Sequence, residues 1–101
     1  MKKLIIAVCV FFTSIVSNAN ADGHAIKMGI ILGFTGPIES LTPAMAASAE
    51  LAFKEASDSG SLLGGKYIKV ERADSTCVDS AAATSAAEGL VSNGVVAIMG
   101  A

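Results

Sequence analysis

The sequence has no tryptophan, one tyrosine and one histidine, and only 16% of its residues are charged. Each scarcity removes a class of chemistry. The lone histidine, His24, has no second histidine to work with, and no His, Cys, Asp and Glu set falls at metal-ligand spacing. No metal site is therefore expected. No glycine-flanked serine forms the strand-to-helix elbow of a serine hydrolase. Ser40 precedes a helix pattern but lacks that context. The carboxylates Glu39, Asp74 and Asp79 fall where loops and helix caps are expected, so no catalytic residue is assigned. Neither an internal repeat nor a low-complexity linker is present.

Long apolar runs are scarce too. The one at residues 4–16 (LIIAVCVFFTSIV) follows Lys2 and Lys3 and is closed by the small residues of Ala19-Asn20-Ala21. This is the pattern of a cleavable signal peptide over residues 1–21, with His24 next to the cut. The run is too short to span a bilayer, which takes roughly 20 residues. Cys9 lies inside it with no lipobox. Without Lys2 and Lys3, five basic residues face nine acidic ones, a net charge of −4. No basic run remains, which argues against nucleic acid as a partner. The mature chain, residues 22–101, keeps a single cysteine, Cys77, in an oxidising compartment. It reads either as a buried thiol or as half of a disulfide whose mate lies past residue 101.

What remains is a regular alternation. Residues 26–32 (IKMGIIL) form an apolar run closed by Gly33, the pattern of a buried strand. The turn LGFTGPIES follows. Thr42 is expected to cap a first helix, with Pro43 at its first position. Met45, Ala49, Ala52, Phe53 and Ala56 would give its apolar stripe, with Glu50 and Lys54 paired one turn apart and Gly60 ending it. After Gly64-Gly65, residues 66–72 (KYIKVER) alternate as a strand near a sheet edge. Asp74-Ser75-Thr76-Cys77 is a polar loop. Asp79 or Ser80 can cap a second helix, rich in alanine and stopped by Asn93-Gly94. Residues 95–99 (VVAIM) give a third apolar run. The order strand, helix, strand, helix, strand predicts an α/β, three-layer fold around a parallel sheet with right-handed crossovers. Residues 22–101 bury little surface for an independent domain and are expected to be the first part of a longer protein.

In open parallel sheets ligands sit beyond the carboxyl ends of the strands. Here those ends are residues 33–41, 73–76 and 100–101. The first helix starts at about Thr42 and turns its free N–H groups toward the same crevice, which favours a ligand with a negative end. Ser40, Gly100 and Ala101, within those ends, are candidate ligand-binding positions. A dinucleotide fits poorly. Gly29, Gly33 and Gly36 are spaced GxxxGxxG, and Asp74 follows about 40 residues after the loop where about 20 is expected. No cofactor is expected.

Two long segments carry a family resemblance: IKMGIILGFTGPIESLTPAMAASAELAFKEAS, then GGKYIKVERADSTCVDSAAATSAAEGLVSNGVVAIMGA. The Thr35-Gly36-Pro37 turn, the Gly64-Gly65-Lys66 turn, the DSTC loop with Asp74 and Cys77, and the SNGVVAIMGA strand resemble, in that order, periplasmic substrate-binding proteins of branched-chain amino-acid ABC transporters. The resemblance covers residues 26–101. It implies a type I fold of two α/β lobes with the ligand between them, of which this chain matches the first half of lobe one. It implies a small-molecule ligand, an amino acid or amide, delivered to an inner-membrane ABC permease from the periplasm. It also places Leu41 against the ligand, and the partner of Cys77 a couple of residues past Ala101. The residues that hold the ligand's α-amino and α-carboxylate groups in the family would also begin past Ala101. The same fold serves as the ligand-sensing domain of receptors, and an exported enzyme with its catalytic part elsewhere is a further alternative. Residues 22–101 alone are expected not to bind ligand tightly, since one wall of the cleft is missing.

Overall fold

The structure, a computed structural model, describes residues 25–100. The expected signal peptide, His24 and Ala101 lie outside the described residues. Along the chain run β1 (Ala25–Leu32), α1 (Thr42–Asp58), β2 (Tyr67–Asp74), α2 (Ser80–Ser92) and β3 (Ala97–Gly100). The strands form one parallel sheet in the order β2-β1-β3. The expected three-layer α/β arrangement is therefore what this sequence builds.

β1 is apolar after Lys27 because it is the central strand. Ile30, Ile31 and Leu32 are all buried, so both of its faces are covered. Alternate residues meet different helices. Ile30 and Leu32 pack with Ala46 of α1, joined by Ala49, Phe53, Val70 and Met99. The opposite face meets α2. A Cβ on Gly29 would lie 2.8 Å from Leu90 Cδ1 and 3.3 Å from Ile98 Cγ1, so glycine is what lets α2 settle onto the sheet. β2 is an edge strand, as its alternation predicts.

Several local expectations are corrected. Thr42 does not cap α1. Leu41 holds the cap position with no side-chain bond, and Thr42 is the first helical residue. Its fully buried hydroxyl donates instead to Gly33 O, 3.0 Å away, tying the helix to the end of β1. Glu50 does not pair with Lys54. It takes a two-pronged bond from Arg72 of β2, at 2.6 and 2.8 Å, while Lys54 pairs with Asp58. The planar guanidinium matches the carboxylate fork across the helix–strand gap, a stronger geometry than a neighbouring lysine offers. It also stands over the Phe34 ring, 5.5 Å from its centroid. The buried stripe of α1 runs through Thr42, Ala46, Ala49, Phe53 and Ala56, whereas Met45 and Ala52 face outward. The stripe is rotated because Thr42, not Met45, anchors the first turn.

β3 is shorter than the apolar run that predicts it, and it is not buried on both faces. Ile98 is 37% exposed and Val96, just before the strand, 71% exposed. Its neighbour on one side is β1, and among the described residues no strand lies on the other.

Candidate functional site

The parallel register brings the carboxyl ends of the strands together. Leu32 stands beside Asp74, and Ile31 beside Gly100. The chain leaves β1 for α1 and β2 on one side, then returns through α2 to β3 on the other. The two helices lie on opposite faces, so the sheet order reverses at β1. A reversal of this kind opens a crevice at the strand ends between β1 and its neighbour β3.

At the same strand ends, on the β2 side of β1, two loops form a rim and are locked together. Asp74, the last residue of β2, accepts three hydrogen bonds from the β1–α1 loop: Phe34 N at 2.9 Å, Thr35 N at 3.3 Å and Thr35 Oγ1 at 2.5 Å. It accepts a fourth from Thr76 N at 2.8 Å. The Thr35 hydroxyl, followed by the Thr76 N–H, stabilises the charged form and holds the Asp74 carboxyl below its ordinary range. The contact is close elsewhere too. A Cβ on Gly33 would sit 2.6 Å from Cys77 Sγ, and one on Gly36 would sit 2.8 Å from Thr76 O. Gly36 also has φ +100°, which other residues rarely adopt.

The facing loop is bent hard. Thr76 and Cys77 both have left-handed backbone, φ +58° and +62°. For a β-branched threonine this is a true outlier. Ser75 is buried, and its N–H donates to Leu32 O at 2.9 Å, continuing the ladder one step past β2. Asp79 then caps α2, accepting from Ala81 N at 2.8 Å and Ala82 N at 3.2 Å, as its position predicts. A cavity of about 350 Å³ opens here, lined by Ser75, Cys77, Val78, Asp79, Ser80 and Ala83. No group of His, Cys, Asp and Glu that could hold a metal occurs among the described residues.

The family profile for periplasmic binding proteins matches residues 25–101. The chain belongs to the periplasmic binding protein family. No curated protein and no solved structure matches it.

For a periplasmic binding protein, a general role in holding a small solute follows. Three of the four candidate positions, Ser40, Leu41 and Gly100, are among the described residues. Ser40 is exposed in the β1–α1 loop, and Leu41 beside it is 60% exposed. Gly100 ends β3 with φ +110°, and its Cα passes so close to Ile31 O that a Cβ would lie 2.0 Å away. Ala101 falls outside the described residues. Cys77 packs its sulfur 3.8 Å from Ser75 Oγ and against Gly33. It stands at the exposed surface rather than in the core, so the buried-thiol expectation is corrected. Asp74, placed where a ribose-binding acid would sit, instead spends its oxygens on loop N–H and hydroxyl groups. Sequence reasoning missed Thr35 and Thr76 as its partners. Only the turn-forming residues around them marked the two loops as special.

Proposed function

We infer that the chain is the solute-binding component of an ABC importer, which captures a branched-chain amino acid or a related small solute and presents it to an inner-membrane permease. The observation that carries this reading is the parallel register, which brings the carboxyl ends of β1, β2 and β3 to one edge of the sheet, with the amino end of α1 at that edge. The dipole at the amino end of α1 favours a carboxylate; Thr42 N there already donates to Ile38 O and Pro43 has no N–H, so the dipole supplies most of that preference. The exposed, apolar Leu41 at that helix start suits an aliphatic side chain better than a charged one. The family and the basic, apolar leader together support export to the periplasm. Capture of this kind needs no reaction. A solute that binds the closed form of a two-lobed protein more tightly than the open form shifts the population toward closure, and the permease can read that shape.

Calorimetric titration of the full-length protein with L-leucine, L-isoleucine, L-valine and short aliphatic amides tests this. Binding at micromolar or tighter affinity by one of them is expected. Absence of binding by all of them would overturn the branched-chain and amide reading.

A further inference from the structure

We propose that Asp74 is a positioning residue for solute capture: its side chain fixes the Thr35-Gly36-Pro37 turn against the β2–α2 loop, so that the rim at the strand ends is set before a solute arrives. The two loops it joins are 39 to 40 residues apart in sequence, and one carboxylate accepts from both. Its oxygens take the N–H groups of Phe34, Thr35 and Thr76 and the hydroxyl of Thr35. A neutral, acceptor-poor side chain at this place takes the acceptor from Thr35 N, Thr35 Oγ1 and Thr76 N, and leaves Phe34 N only its 3.0 Å bond to Leu32 O. The loops also fit with no slack. Glycine at positions 33 and 36 is what allows the backbone to approach Cys77 and Thr76, so the turn has one seating rather than a range of them. Leu41 and Ser40 hang from the far end of the same nine-residue connection, residues 33–41, whose other anchor is the buried Thr42 hydroxyl on Gly33 O. A rim anchored at both ends presents its solute contacts already in place. When the binding-competent arrangement is populated only a fraction of the time, the apparent dissociation constant rises by the inverse of that fraction.

The binding arm of the test rests on the solute-binding reading above; the exchange arm does not. Asp74→Ala, Thr35→Val and Thr35→Ser are compared with wild type in the full-length protein, with Leu90→Val as a core variant remote from the rim. Amide hydrogen exchange at Phe34 and Thr35 is expected to quicken at least about tenfold in Asp74→Ala. Affinity for whichever of L-leucine, L-isoleucine and L-valine wild type binds is expected to fall about tenfold. Thr35→Ser keeps the hydroxyl and should restore both readouts, while Thr35→Val falls between. Leu90→Val should lower the melting temperature and leave affinity alone. Unchanged exchange at Phe34 and Thr35 in Asp74→Ala would overturn the proposal. So would affinity within twofold of wild type, or an equal loss of affinity in Leu90→Val. If wild type binds none of the three amino acids, that reading fails for them, and the exchange result still decides whether Asp74 sets the rim.

Discussion

Thr76 concentrates two unfavourable features in one residue. Its backbone is left-handed at φ +58°, and its hydroxyl oxygen is buried with no hydrogen-bond partner among the described residues. Left-handed backbone costs a residue with a Cβ roughly 1–2 kcal/mol, and a buried polar atom without a partner adds to that. Strain of this kind persists where the surroundings over-determine it. Here the Asp74 carboxylate accepts from the Thr76 N–H, and the Gly36 backbone passes so close to the Thr76 carbonyl that a Cβ there would lie 2.8 Å from its oxygen. Thr76→Gly should therefore raise stability by about 1 kcal/mol, even after glycine's larger loss of freedom on folding. Urea unfolding measures it, and a loss of stability would show that the threonine side chain contributes more than its strain removes. None of this could be read from DSTC as letters. The loop was visibly polar, but its grip on Thr35 depends on groups 39 residues away.

Among the elements, the two helices start in different ways, and the difference explains which sequence signals were legible. α2 opens on a local device: Asp79 accepts from N–H groups two and three residues ahead, so its role follows from sequence spacing alone. Asp79→Ala should cost about 1 kcal/mol, seen as a lower urea midpoint at unchanged slope. A change within error would mean the helix start is held by packing instead. α1 opens on a tertiary device. Its first residue sends its hydroxyl back to Gly33, and no spacing rule distinguishes that from a cap. The same division holds throughout. The alternation of apolar runs with helical patterns gave the element order and the parallel sheet, since a buried central strand must be apolar on both faces. Partners chosen across elements, such as Arg72 for Glu50, were not legible, because an adjacent lysine at helical spacing looked equally good. The candidate rim was legible as a place, the strand ends, but not as a set of contacts.

At the scale of the whole molecule the sheet is lopsided. One edge, β2, is tied down by α1: Ser57 Oγ accepts the Ile68 N–H at 2.8 Å, and Glu50 holds Arg72. The other edge among the described residues, β3, carries the exposed Ile98, with exposed Val96 just before the strand and Val91 of α2 also exposed at 64%. A second concavity of about 540 Å³ lies on α2, lined by Thr84, Ala87, Glu88, Val91 and Ser92. A bare edge with apolar side chains and no bulge, proline or lysine is a template for pairing with another chain. The 101-residue chain, expressed as it stands, should therefore self-associate as its concentration rises. Val96→Lys places a charge at the entrance to β3 and should shift the sedimentation profile toward monomer. The substitution lies at the amino end of the strand, opposite the rim, so exchange at Phe34 and Thr35 should stay as in wild type. Equal self-association in Val96→Lys would show that the contact runs through another surface, and altered exchange at the rim would show that the two ends of the sheet are not independent.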